Sequence, residues 1–246
     1  MDMRWIPIGL SPWVWGCTQP MVQLSGTIYS SHEPSSPPQA GARVTVVDLE
    51  GGILDEAETD EGGRFSVLLP EGLEIIAEIR GEGLATATFP GISGIDPFAE
   101  LEDRSLYAVS LEEVEAERAR FLGCPGAEEP SALLFGEMRL HGLVDPETGE
   151  NPTVNTGRID VRSAAGGQWS ACYLDADGAA YDPEAPWTGD SGRFAVFGIG
   201  AGLHDIDARY EFFEGYWVGE IYAAWVPPED EVVAIPGWPV LVPFDP

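Results

Sequence analysis

Two short stretches of the chain carry the same pattern of polar and apolar positions. Residues 59–67 read TDEGGRFSV and residues 188–196 read TGDSGRFAV. Each is a polar Gly/Asp turn followed by an apolar-alternating run, which predicts a tight turn feeding a β-strand. Gly supplies positive φ without steric cost, and Asp bonds its own backbone. The alternation aims Phe65 and Phe194 into a core and the preceding Arg64 and Arg193 outward. The flanks match as well. LSGTIYS (24–30) and GARVTVVD (41–48) lie upstream of the first stretch; MRLHGLVD (138–145) and GRIDVRS (157–163) lie upstream of the second. Downstream come PEGLEIIAEIRGEG (70–83) and GAGLHDIDARYEFFEG (200–215). A period of about 130 residues is too long for a solenoid and predicts two copies of one domain.

The expected organisation is therefore a leader over 1–17, a first β-sandwich over 18–95, a helical linker over 96–131 and a second sandwich over 132–246. Residues 31–40 read as a Pro/Ser loop, and 51–58 as a hairpin connection around Gly51 and Gly52. The β pattern breaks after residue 95, where SLEEVEAERARFLG (110–123) predicts a helix. Ser110 caps it, with Glu113 three residues on as in a capping box. Leu111, Val114, Phe121 and Leu122 form a narrow apolar stripe, and Gly123 with Pro125 stops the helix.

Composition agrees with an all-β chain. Hydrophobic residues make up 44%, enough for packed cores, and Gly 30 with Pro 21 suits many short strands. The formal net charge is −30 from 42 acidic and 12 basic residues, and every basic residue is Arg. Such a field repels nucleic acid, which removes that partner class. The acidity reads either as solubility in the chain's habitat or as cation binding.

The N-terminus reads MDMRWIPIGLSPWVWG before Cys17. One Arg precedes a short apolar run, and a small residue stands immediately before a Cys. This resembles a bacterial lipoprotein signal, although Asp2, Pro7, Pro12 and Trp15 depart from it. A plain secretory signal and an ordinary N-terminal segment are the alternatives. On the lipoprotein reading Cys17 is the lipid anchor, and Thr18 after it leans towards the outer membrane by the same resemblance. The chain has three Cys, so a lipidated Cys17 leaves Cys124 and Cys172 to pair in an oxidising compartment. Cys17 with Cys124 is the rival pairing.

Two regions carry candidate binding chemistry. YLDADGAAYDPEAPWTGD (173–190) places Asp175, Asp177 and Asp182 near one another in sequence. Carboxylates at alternating positions can converge on a calcium ion, but Ala179 and Pro186 stand where an EF-hand loop has ligands. The alternative is an acidic hairpin loop. Every Trp outside the leader lies in the second half, and YEFFEGYWVGEIYAAWV (210–226) is dense in aromatics. Trp187, Tyr216, Trp217, Tyr222 and Trp225 form a candidate surface for stacking on sugars or anchoring a protein. Core and domain-interface packing is the structural alternative.

The residues Gly26, Ala42, Val44, Val46, Thr59, Asp60, Gly63, Phe65, Pro70 and Gly72 fall in a pattern similar to the carboxypeptidase regulatory-like domain. The second copy resembles it with departures, Gly189 standing for Asp60 and Gly157-Arg158 for Gly41-Ala42. The resemblance implies a transthyretin-like (Ig-like, prealbumin-like) β-sandwich in each half, a domain that stabilises, spaces or adheres. Enzymes built on the same fold are hydroxyisourate hydrolases and intradiol dioxygenases. The chain does not end in the first group's Tyr-Arg-Gly-Ser tail, and His32, His141 and His204 form no recognisable ligand set for the second group's iron. No zinc-peptidase signature or G-x-S-x-G elbow is present. The expectation is a non-catalytic, exported cell-envelope protein without a cofactor, acting as a structural or binding module on a glycan or envelope protein. A calcium-stabilised adhesin and an enzyme using His141 with His204 are the competing readings.

Overall fold

The structure, a computed structural model, describes residues 20–31, 36–92, 106–129, 131–140, 152–163, 165–213, 216–228, 233–237 and 240–241. Among the described residues the fold is all-β with one short helix. The first copy supplies β1 (Met21–Thr27), β2 (Arg43–Asp48), β3 (Ile53–Glu58), β4 (Arg64–Pro70), β5 (Ile75–Arg80) and β6 (Thr86–Ile92). Helix α1 (Leu111–Arg120) follows. The second copy supplies β7 (Ala132–Glu137), β8 (Arg139–Leu140), β9 (Gly157–Ser163), β10 (Gln168–Ser170), β11 (Cys172–Leu174), β12 (Tyr181–Asp182) and β13 (Arg193–Ile199). It continues with β14 (Gly202–Phe213), β15 (Tyr216–Val226), β16 (Val233–Gly237) and β17 (Val240–Leu241).

The internal repeat is a repeat of topology. In the first copy β1 pairs with β4, and β3, β2, β5 and β6 lie side by side. In the second, β7 pairs with β13, and β10, β9, β14 and β15 lie side by side. The registers align the copies residue by residue: Leu24 pairs with Val67 as Leu134 pairs with Val196, and Gly26 with Phe65 as Gly136 with Phe194. LSGTIYS therefore corresponds to LFGEMRL (134–140), not to the MRLHGLVD run. Leu133, Leu134 and Phe135 are all buried, so β7 lacks the alternation that marks a half-exposed strand. Residues 53–58, expected as part of a hairpin connection, form β3 on the edge of β2.

The repeated turn explains its own sequence. Thr59 Oγ1 accepts from Ala42 N at 2.9 Å and donates to Gln39 O at 2.7 Å. Thr188 Oγ1 likewise accepts from Gly157 N at 2.8 Å and donates to Val154 O. Both threonines are buried, and each satisfies two backbone groups where the next strand begins. Gly63 (φ +71°) and Gly192 (φ +66°) complete the turns. A Cβ there would lie 2.6 Å from Ile28 O and 2.8 Å from Met138 O. Ile28 and Met138 are equivalent, and the larger side chain has a matching change. A Cβ on Gly157, the counterpart of Ala42, would meet Met138 Sδ at 2.2 Å.

The halves are joined by more than a linker. One nine-stranded sheet runs β12-β11-β13-β7-β16-β6-β5-β2-β3 through both copies. β16 closes it, parallel to β7 (Ala234 opposite Leu133) and to β6 (Val233 opposite Thr86, Ala234 opposite Ala87). One core lies on a single face of this sheet and combines Val44, Ile79 and Phe65 with Phe121, Leu133 and Phe197. A second core fills the sandwich between β7, β13 and the β9–β14–β15 layer, around Leu134, Phe194, Ile159 and Ile206.

Helix α1 belongs to this packing. Ser110 caps it, its Oγ accepting from Glu113 N at 3.0 Å, as the capping-box pattern predicts. Val114 and Phe121 are buried, whereas Leu111 and Leu122 are exposed. Phe121 meets Phe197 edge-on with centroids 6.2 Å apart. Arg193, expected to face outward, reaches Glu117 on the helix at 3.1 Å. Arg118 donates to Ala127 O, Glu129 O and Ser131 O, fixing the chain after the helix. Segment 106–109 is buried with the first copy, Tyr107 lying edge-on to Phe89 at 5.7 Å. Within the stretch expected as a helical linker, the described residues 106–129 pack on the first copy through 106–109 and on the second through α1.

Candidate functional site

The candidate residues are dispersed over the chain. Cys17, the expected anchor, lies outside the described residues, as do His32 and His141. Cys124 and Cys172 are bonded to one another, with Cα atoms 6.2 Å apart. Cys124 follows α1 in a tight turn and Cys172 opens β11, so the bond fastens the helical cover to the sheet beneath it. Both are buried.

Asp175 and Asp182 bracket the β11–β12 hairpin. Asp175 Oδ1 accepts from Ala179 N at 2.8 Å, and the Asp175 carbonyl accepts from Gly178 N at 2.9 Å. Asp182 Oδ1 accepts from Glu184 N at 2.9 Å. Gly178 takes φ +69° to close the turn. These carboxylates organise a hairpin, and Asp177 is exposed at its tip. Among the described residues no three His, Cys, Asp or Glu side chains gather in a way that would hold a metal ion.

The aromatics of the second half divide. Trp187 is 40% exposed on the turn that precedes buried Thr188. Trp225 is half-buried at the junction of the copies; a Cβ on Gly51 of the first copy would lie 2.5 Å from its Cζ2. Gly51 (φ +81°) is thus required both by its turn and by the indole. Tyr216, Trp217 and Tyr222 are placed by the backbone of β15, opposite Phe213, Glu211 and Ile206 of β14. Of the five aromatics expected as a surface, Trp187 is exposed on its turn and Trp225 packs against Gly51 of the first copy.

His204 sits on β14 and is buried. Its Nε2 donates to Gly200 O at 2.7 Å, and the Trp169 ring meets it edge-on at 5.3 Å. Nδ1 is buried without a partner among the described residues. Desolvation holds its pKa below the ordinary 6.5, against the opposing pull of the Gly200 carbonyl and Asp205. Tyr173 is a second buried titratable group. Burial pushes its hydroxyl up to about 12, and its oxygen accepts from Ile159 N at 3.0 Å. Both are core groups with backbone partners. Sequence reading missed Tyr173 because an inward Tyr in a short strand looks like any other core aromatic.

The described cavities are shallow surface grooves. One, of about 370 Å³, is lined by Gly41, Arg43, Glu56, Ala57 and Glu58, with Arg43 and Glu56 paired at 2.6 Å. Among the described residues no helix is long and apolar enough to cross a membrane.

No protein-family model matches the chain, and no curated protein does. Among solved structures it is similar to the shaft pilin SpaA from Lactobacillus rhamnosus GG, at 12% identity and a TM-score of 0.29, over 89% of this chain and 98% of that one. It is also similar to the Bacillus anthracis TIE protein, at 12% identity and a TM-score of 0.31, over 89% of this chain. There it spans 34% of the other protein's length. Likeness at this level settles neither activity nor partner.

Proposed function

We propose that the chain is a non-catalytic, exported cell-envelope module, structural or adhesive in use, with Cys17 as its lipid anchor and two copies of the carboxypeptidase regulatory-like type. One observation carries the reading: the buried Cys124–Cys172 bond fastens a helix across a sheet that both copies share. A buried disulfide between the turn after α1 and the sheet suits an oxidising compartment. The identical use of Thr59 and Thr188, and of Gly63 and Gly192, supports descent of both copies from one domain. The partner classes that fit are a glycan or an envelope protein, with Trp187 as the exposed aromatic contact.

Intact mass and fractionation of the protein from its own host test the proposal. The expected result is a chain beginning at Cys17 with added acyl mass, in the membrane fraction, and with Cys124 and Cys172 oxidised. An unmodified chain beginning at Met1, soluble and with reduced thiols, would refute it.

A further inference from the structure

The copies share a topology but not a surface, and the differences fall on two particular faces. Val44 pairs with Ile79 as Ile159 pairs with Ala208, which aligns β2 with β9 and β5 with β14. On the face of the first copy turned away from its own sandwich, Thr45, Val47, Ile76, Glu78 and Thr88 are all buried. β15 of the second copy lies across β6 and β5 on that side. The equivalent positions of the second copy are Asp160, Arg162, Asp205, Asp207 and Ile221. There Arg162 and Asp205 are exposed, and Ile221 is 70% exposed. Asp160 and Asp207 are half-buried in ion pairs with Arg209 (2.6 Å) and Arg162 (3.6 Å).

The opposite end shows the same reversal. Leu133, Phe135, Ala195 and Phe197 on β7 and β13 are buried on the face that α1 covers. Their counterparts on β1 and β4 are Gln23, Ser25, Ser66 and Leu68, all exposed. Gln23 Nε2 donates to Ser66 Oγ at 2.8 Å, and Ser25 Oγ to Ser66 Oγ at 3.3 Å, so the polar residues form a ladder across the strands. Each copy is buried where it meets the other or α1; the equivalent surfaces that point away are exposed and carry Arg162, Asp205, Gln23, Ser25 and Ser66 where the buried faces carry Val47, Ile76, Leu133, Phe135 and Ala195, with Leu68 and Ile221 as their exposed apolar residues.

We infer that the copy-to-copy contact is made once, inside a single chain, and that the two outermost sheet faces are solvated ends. The chain is a closed monomeric unit rather than a link that propagates from chain to chain through the same packing. Repeat proteins terminate in this way, with polar outer faces on their end repeats. Repeating the contact would bury Arg162 and Asp205 in the places that Val47 and Ile76 occupy, which costs desolvation of both charges, a cost that the Arg162–Asp207 pair offsets only for Arg162. The net charge of −30 adds repulsion between chains. The inference concerns the folded body and holds independently of export or lipidation.

The test is sedimentation equilibrium of the full chain carrying Cys17→Ser, across a broad concentration range. The expected result is the mass of one chain, 26.5 kDa before the small change at Cys17, at every concentration. Mass that rises with concentration would overturn the inference. One variant restores buried-face residues on the second copy's outer face. Arg162→Val with Asp205→Ile gives it the residues that Val47 and Ile76 supply in the first copy. This variant, folded by circular dichroism, should at least double the average mass at the upper concentrations. A folded variant that stays monomeric would show that these residues do not terminate the contact and would equally overturn it.

Discussion

Removing the Cys124–Cys172 bond by Cys124→Ala with Cys172→Ala should destabilise the chain and loosen α1 before anything else. The bond closes a loop spanning 48 residues. Chain entropy alone gives a loop of that length about 4 kcal/mol of stabilisation, with measured bridges at roughly 2–4 kcal/mol. A chain of this size loses roughly 2–4 °C in Tm per kcal/mol, so a drop of about 8–16 °C follows from the entropic figure. The loss should be local in character. Without the bond, α1 remains on the sheet through Phe121 against Phe197, the Arg193–Glu117 pair and the Arg118 hydrogen bonds. Partly exposed ion pairs contribute little on their own. Calorimetry reads the global change, and hydrogen exchange reads the location. Amides of α1 and of the turn after it, which the bond ties to β11, should lose protection more than those of β1 and β4, which it does not tie. A Tm within about 2 °C of the parent, with unchanged exchange in α1, would refute the view that the bond holds the helical cover.

Two further outcomes are expected. Gly63→Ala and Gly192→Ala should each cost about 2 kcal/mol or more in urea unfolding, since both force Ala to positive φ and press its Cβ on a backbone carbonyl oxygen. Gly72→Ala, at φ +79° in open space, should cost only the conformational part, about 1–2 kcal/mol, and equal losses at all three sites would defeat the account. His204 has a folded pKa below 6.5, so its contribution is fully present above pH 6.5 and is lost as the pH falls from there towards the lowered value. The slope is at most about 1.4 kcal/mol per pH unit, and unfolding of His204→Gln should be less sensitive to acidification over that range; identical slopes in parent and variant would exclude His204 as the source.

The local grammar of the chain was legible because local rules wrote it. The Thr-x-x-x-Gly-Arg-Phe turn, the Ser110 cap and the inward Phe of each copy follow from backbone geometry and alternation within a few residues. The fusion of the two halves was not. β16 meets β6 through a two-residue parallel contact between segments far apart in sequence, and such pairing leaves no periodic trace. β7 was placed several residues late because it is buried on both faces and reads as a plain apolar run. Trp225 was grouped with exposed aromatics because composition does not distinguish an indole on a surface from one pressed on Gly51. For β16 and Trp225 the deciding contact lies between the copies, where the alignment of one copy on the other carries no information; for β7 it is the cover that α1 adds to a strand whose counterpart β1 is exposed on that face.

That location also limits where a binding surface can be. The apolar faces of the shared sheet pack against the partner copy, against β1–β4, or beneath α1. β1 and β4 present a polar hydroxyl and amide ladder, and the outer face of β9 and β14 presents ion-paired Asp and Arg. Among the described residues the exposed aromatics are Tyr29 and Trp187, and Trp187 lies on a loop of the second copy. The turn that carries it is held from below by Thr188, whose backbone N donates to Gly157 O at 2.9 Å while its hydroxyl bridges Gly157 and Val154. The residue that fixes the fold of the second copy is thus adjacent to the residue best placed to act outside it. Replacing Trp187 should leave stability unchanged, whereas replacing Thr188 should unmoor the turn, and that contrast separates a contact residue from a framework residue.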